Sequence, residues 1–331
     1  MRRNRTAPRR RALAMALALA LCCLCGCGAD AAPGARHTVA LVTKSTQTEF
    51  WLSVFAGAEA AAAEYNLELT IAGPETEEDY EAQNRMVREA AAAGAEAIVF
   101  SAIDQTENAA AIDEAARAGV HIVAIDSRVR SEAVSTYIGT DNYAAGQMAA
   151  DAVLDRVSGP LYVGVVNYDV STANGQERER GASDAFAESG RAEITAVVNT
   201  LTEAGRAQAD TAALLTEHPE INVLLALNEP TSVGAAQAVK TLGRSEDVFF
   251  VGFDSNVVTV DGLQDGCVDA LVVQNPYAMG YLGVESAYQL LAGQGGALDE
   301  TVDTSTRVVD RDNLFTLDSQ KALFSFEEHL D

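Results

Sequence analysis

With 331 residues, 48% of them hydrophobic, and modest Gly and Pro, the chain is long enough for two globular domains and is neither fibrous nor disordered in composition. Its 23 basic residues against 48 acidic ones give a formal net charge of −25. A surface this negative repels phosphate backbones, so no nucleic-acid partner is expected. The first 26 residues read as an export signal. Six arginines (Arg2, Arg3, Arg5, Arg9, Arg10, Arg11) precede an uncharged apolar run from Ala12 to Leu24, too short for a comfortable membrane span.

Four cysteines crowd this leader: Cys22, Cys23, Cys25 and Cys27. They lie too close together to form a disulfide framework. Leu24-Cys25-Gly26-Cys27 resembles the bacterial lipobox. That resemblance implies cleavage before Cys27, which would carry a lipid anchor and hold an exported protein at the outer face of the cytoplasmic membrane or in the periplasm. Residues 27–36, ending in GADAAPGAR, read as a small-residue tether. Cys267 is expected to be a small, partly buried side chain.

From residue 37 onward apolar runs alternate with amphipathic, Ala-rich stretches. Strands are expected at 38–42, 67–72, 97–100, 121–125, 136–138, 162–166, 193–199, 223–227, 248–253, 270–273 and 306–309. Helices are expected between them: 49–65, 78–93, 109–118, 144–157, 176–188, 204–217, 232–242, 257–265 and 277–292. Such alternation indicates an α/β fold with parallel sheets. Runs such as AIVF and VLLAL are apolar on both faces, as buried parallel strands are. A coarse repeat points to two similar lobes. AGAEAIVFSAID leads through a helix to AGVHIVAID, ending on Asp126; HPEINVLLALNEP leads through a helix to EDVFFVGFD, ending on Asp254.

Polar residues fall directly after the apolar runs: Lys44, Ser101, Asp126 with Ser127 and Arg128, Asn167, Asn228 with Glu229, Asp254, and Gln274 with Asn275. In parallel α/β sheets, ligands bind at the carboxyl ends of strands. Two facing lobes would direct these groups into one cleft. Phe50 and Trp51, in the stretch KSTQTEFW, sit at a strand-to-helix junction, either as the start of a buried helix face or as a wall of that cleft. Flat aromatics beside Asp, Asn, Gln and Arg suit a polyhydroxylated ligand. Any single Asp or Asn after a strand could equally be a helix N-cap.

The motifs TVALVTKSTQTEFW, AGVHIVAIDSR, TDNYAAGQMAAD, QERERGASDAF, INVLLALNEPTSVGAAQAV, VFFVGFDS and VVQNPYAMG resemble, in this order, those of periplasmic sugar-binding proteins of the ribose-binding type, over nearly all of residues 37–310. The resemblance implies two Rossmann-like lobes with parallel sheets joined by a three-segment hinge, the type I periplasmic binding protein fold. It implies a receptor delivering a sugar or polyol to an ABC permease, monomeric, without cofactor or catalysis. By it, the ligand set is Lys44, Phe50, Trp51, Asp126, Arg128, Arg178, Asn228, Asp254 and Gln274. Crossings between lobes are expected near 140–142, 274–276 and 303–306. One lobe would then comprise 37–140 plus 275–303, the other 141–274 plus 304–331. Ser127 intervenes between Asp126 and Arg128, Thr48 and Glu49 replace Asn and Pro before the aromatic pair, and a stacking aromatic near 201–205 is absent, with Glu203 the polar candidate there. These departures speak against ribose itself.

A repressor of the same fold would need a DNA-binding headpiece and a basic surface. No G-x-G-x-x-G, phosphate-loop or G-x-S-x-G run follows a strand, and His37, His121, His218 and His329 lack metal-ligand spacing. A chemosensory receptor passing its ligand state to a membrane kinase is the alternative of the same fold.

Overall fold

The computed structural model describes residues 36–168 and 170–324. The basic leader, the Leu24–Cys27 motif and most of the tether lie outside the described residues. Among the described residues, no helix is long and apolar enough to cross a membrane.

Two six-stranded sheets organise the chain. The first contains β1 (Thr38–Val42), β2 (Glu68–Ala72), β3 (Ala97–Phe100), β4 (His121–Ile125), β5 (Val134–Gly139) and β11 (Thr301–Asp303), in the order β11-β5-β4-β3-β1-β2, all parallel. The second contains β6 (Leu161–Asn167), β7 (Ala192–Asn199), β8 (Val223–Ala226), β9 (Phe249–Phe253), β10 (Ala270–Val273) and β12 (Arg307–Asp310), in the order β12-β10-β9-β8-β6-β7. Only its β10–β12 pair is antiparallel. The two orders match strand for strand through the first five members, in agreement with the repeat seen in the sequence. Each sheet is a doubly wound α/β lobe, and the chain passes between them after β5, after β10 and after β11.

Packing follows from the composition of the strands. β3, β8 and β10 are buried at every position, because helices cover both faces of each sheet. On the first sheet, α1 (Glu49–Glu64) and α9 (Pro276–Leu291) cover one face, and α2 (Tyr80–Ala92) and α3 (Ala109–Arg117) the other. On the second, α4 (Asn142–Leu154) and α5 (Ala173–Ser189) lie on one face. The opposite face carries α6 (Ala204–Glu217), α7 (Glu229–Thr241), α8 (Val257–Asp265) and the short α10 (Leu317–Leu323).

Several boundaries differ from the sequence expectation. α7 begins at Glu229 rather than residue 232, because Pro230 is tolerated in a first turn where its missing N–H has no intrahelical partner. α4 begins two residues early, at Asn142, with the Asp141 carboxylate accepting from the Ala144 amide. The edge strand β11 and helix α10 were not expected. The first is a three-residue strand with an exposed-intermediate-exposed pattern, and so carries little apolar signal.

Two glycine pairs hold the site-bearing helices close. A Cβ on Gly57 of α1 would fall on the Tyr277 carbonyl of α9, and one on Gly280 of α9 would fall on the Val54 carbonyl of α1. Gly146 of α4 and Gly181 of α5 repeat the arrangement against Arg178 and Tyr143. The first contact fixes the helix carrying Phe50 and Trp51; the second fixes the helix carrying Arg178. Gly57→Ala and Gly181→Ala should therefore each lower stability by about 2–3 kcal/mol through overpacking against backbone. Gly296→Ala, which meets open space, should stay within about 0.5 kcal/mol. Urea unfolding midpoints at unchanged m-value check both.

Candidate functional site

The carboxyl ends of the two sheets face each other across one narrow cavity. Lys44, Phe50, Trp51, Asp126, Arg178, Asn228, Asp254 and Gln274 all line it. So do Thr48, Glu77, Tyr168, Asn174, Glu229 and Pro230. A larger cleft beside Ser305, Thr306 and Lys321 shares only Gln274 with the expected set.

In the first lobe, Lys44 leaves the end of β1 and is almost wholly buried. Its ammonium lies 3.2 Å from Asp126 Oδ2 and 3.3 Å from Glu77 Oε2. Burial by itself would lower the lysine's pKa, but the two carboxylates outweigh it and hold the ammonium above its ordinary range. Asp126 also accepts from Ser101 Oγ at 2.8 Å. Glu77 accepts from the Trp51 indole N–H at 2.7 Å, which satisfies the one polar atom of a side chain only 1% exposed. Phe50 meets Trp51 edge to face, with ring centroids 5.1 Å apart. The aromatic pair thus fills both roles open from the sequence: Trp51 belongs to the core beneath α1, and the same pair walls the cavity.

In the second lobe, Arg178 is the central donor. Its Nε donates to Asn142 Oδ1 at 2.9 Å and its Nη1 to the Leu227 carbonyl at 2.7 Å, and the guanidinium lies 4.6 Å from the centre of the Phe253 ring. Its Nη2 is buried and has no hydrogen-bond partner among the described residues. Gln274 donates to Asp254 Oδ1 at 2.7 Å and accepts from Thr140 Oγ1 at 2.9 Å. Burial raises the Asp254 carboxyl, opposed by Arg178 and Gln274. Tyr168 follows β6 and donates to Asn174 at 2.6 Å; burial pushes its hydroxyl up to about 12, so it remains a neutral donor.

The question of caps resolves differently for each residue. Asn228 is a cap: its Oδ1 accepts from the Thr231 amide at 3.0 Å in a reciprocal capping box, which leaves its amide nitrogen for the cavity it lines. Asp126 and Asp254 are not. Both adopt left-handed backbone, φ 55° and 65°, and α8 is capped by Asn256 instead. Aspartate tolerates this region better than most residues, though at some conformational cost. Matching strain directly after β4 and after β9 aims two carboxylates into the same cavity.

Arg128 does not join them. It is exposed, lies over the Tyr137 ring at 3.7 Å and donates to Thr301 Oγ1 at 3.2 Å. The left-handed turn at Asp126 sends the chain away from the cavity, and Lys44 supplies the cation beside Asp126. Glu203 is likewise exposed, at the start of α6. Sequence reasoning missed Glu77, Tyr168 and Asn174; it placed Glu229 among the strand-end groups facing the cleft but not in the ligand set. For Glu77 a signal existed: a lysine directly after a buried strand requires a carboxylate partner.

Contacts also cross between the lobes. Asn174 donates to Asp126 Oδ1 at 3.3 Å, Glu78 Oε1 accepts from the amide and hydroxyl of Thr202 at 2.8 and 2.6 Å, and Glu229 accepts from the Phe50 amide at 2.9 Å. The two lobes are therefore in direct contact around the cavity.

Comparison with known proteins agrees with this architecture. A family model described as a periplasmic binding protein domain matches residues 39–295. The chain is 30% identical to a D-ribose/D-allose-binding protein of Pseudomonas aeruginosa, over 77% of this chain and 82% of that one. It is 25% identical to a ribose import binding protein of Bacillus subtilis, over 78% and 82%. Among solved structures, a carbohydrate transporter solute binding protein from Agrobacterium radiobacter in complex with D-arabinose superposes with a TM-score of 0.84 at 27% identity, covering 88% of this chain and 99% of that one. A glucose-galactose binding protein from Geobacillus stearothermophilus gives 0.80 at 28% identity, covering 85% and 99%. On its two matched sheets, its interlobe cavity and these similarities, the chain belongs to the periplasmic binding protein family.

Proposed function

We propose that this protein is an extracytoplasmic receptor that captures a neutral monosaccharide or similar polyol between its lobes and presents it to an ABC importer. The carrying observation is the unpartnered, buried Nη2 of Arg178 in a cavity lined by carboxylates, amides, the Lys44 ammonium and three aromatic side chains. A buried guanidinium N–H without an acceptor is costly, and a ligand hydroxyl oxygen would satisfy it. Relatives named for ribose, allose and arabinose support the same ligand class.

In this reading Phe50 and Trp51 face the apolar C–H surface of the sugar. Asp126 and Asp254 accept from its hydroxyls, and Lys44, Arg178, Asn228 and Gln274 donate to them. The lobes are 37–140 plus 275–303 and 141–274 plus 304–331, hinged at the three crossings. Binding to one lobe and bridging to the other on closure would expel water, so each unmatched hydroxyl would leave a buried group unpaired. That is the source of stereochemical selectivity. The protein acts as a monomer, without catalysis, held to the membrane through a lipid on Cys27. A role handing ligand state to a membrane kinase would use the same cavity and differ only in the outer surface.

A panel of aldoses, ketoses and polyols in a thermal-shift assay tests the ligand class. A matching sugar at 100 times its Kd should add about 2.7 kcal/mol to the stability of the closed form. Asp254→Ala should remove the response while leaving the unliganded melting temperature within a few degrees; a lowered melting temperature with intact affinity would assign Asp254 a structural role only. Intact mass of the membrane-extracted protein should show a diacylated N-terminus at Cys27; a water-soluble product cleaved elsewhere would contradict the anchor.

A further inference from the structure

Glu229 belongs to neither set of ligand-facing groups described above, yet it bridges the two lobes directly. It leaves the first turn of α7 in the second lobe and ends at the start of α1 in the first. Its Oε2 accepts from the Phe50 amide at 2.9 Å, and its Oε1 accepts from the Glu49 amide at 3.3 Å and from Asn256 Nδ2 at 2.9 Å. Only 5% of the residue is exposed. Those two amides are among the four at a helix start that no intrahelical carbonyl can satisfy. They also sit at the positive end of a 16-residue helix. One of them belongs to Phe50, the aromatic wall itself.

We propose that Glu229 is a positioning residue that clamps the aromatic wall of the sugar site to the opposite lobe and sets how far the ligand-free protein closes. The inference rests on the reading of the molecule as a closing two-lobed receptor. The clamp is made entirely by protein atoms, so it operates before any sugar is bound. It lets the first lobe deliver Phe50 and Trp51 in register with Asp254 and Arg178.

The clamp also makes closure sensitive to protons. Burial in the closed form pushes the Glu229 carboxyl from 4.5 up to about 7, opposed by the Phe50 amide and reinforced by the charge of Asp254. The charged groups that line the same two cavities are Glu49 on α1, Glu75, Glu77 and Glu78 before α2, Glu203 before α6, Lys44 after β1, Asp126 after β4, Asp254 after β9 and Arg178 on α5; Thr48 and Asn256 are neutral. With the lobes apart, Glu229 faces water and returns to its ordinary value. The closed form therefore binds the extra proton. Its gain is complete below the ordinary carboxyl value and is lost as pH rises through about 7. Asp254, also raised by burial, acts in the same direction.

The test needs no sugar. Small-angle X-ray scattering of the ligand-free protein gives the closed-to-open ratio between pH 8 and pH 5. The wild-type ratio should rise on acidification below pH 7, with Glu229 contributing up to about tenfold per pH unit, the limit for one linked proton, and Asp254 adding to it. Glu229→Ala should lower the ratio at least tenfold at pH 6. Glu229→Gln, which keeps one acceptor oxygen but has no proton to gain, should show a clearly shallower pH dependence than wild type, with Asp254 supplying what remains. Circular dichroism and urea unfolding establish that both variants fold. A Glu229→Ala protein as closed as wild type at every pH, or wild-type and Glu229→Gln proteins with the same pH dependence, would overturn the proposal. Failure of every sugar in the thermal-shift panel would instead sink the ligand reading and leave this result standing.

Discussion

Everything at the centre of this molecule depends on a buried cation held between two carboxylates. Lys44 sits within 3.3 Å of both Asp126 and Glu77, with almost no solvent to stabilise any of the three. Removing one partner from such a cluster leaves an uncompensated buried charge, at a cost of about 3–5 kcal/mol. The cluster therefore ties together three segments that are distant in sequence: the end of β1, the loop before α2 and the end of β4. Trp51 is bound to it through Glu77, and the second lobe reaches it through Asn174. The groups lining the cavity here are held in place because they already have protein partners.

The two lobes solve the same geometric problem with different chemistry. Each places an aspartate in left-handed backbone after its fourth strand, and each packs its site-bearing helix through a glycine pair. The first lobe surrounds its aspartate with a lysine, a serine and a second acid. The second surrounds its own with an arginine and a glutamine. A ligand bridging the lobes would thus meet carboxylates of matched geometry and unequal surroundings. Such asymmetry would let one face of a bound ring be distinguished from the other.

Much of the architecture was legible in the sequence because buried parallel strands are short, apolar and separated by long amphipathic helices. AIVF and VLLAL could hardly be anything else. β11 escaped because a three-residue edge strand, TVD, buries almost nothing, and α7 begins earlier than expected because Pro230 sits in its first turn, where its missing N–H costs nothing. At the site, Asp126, Asn228, Asp254 and Gln274 were readable because each follows a strand whose end is fixed by its apolar run. Glu77 comes from a loop without periodicity, so only the fold brings it to the cavity, whereas Tyr168 directly follows β6, where the polar Asn167 before it carries the strand-end signal. Arg128 misled because position after a strand does not set side-chain direction once the backbone turns left-handed, and the Tyr137 ring captured it.

The central claim is that one ligand engages groups from both lobes at once. Hydrogen–deuterium exchange in the presence and absence of a saturating sugar tests it most directly. The account predicts new protection in segments 44–51 and 126–128 of the first lobe together with segments 226–230, 252–255 and 273–276, which carry the second lobe's ligand-facing groups. Protection confined to one lobe, or appearing away from these strand ends, would contradict it.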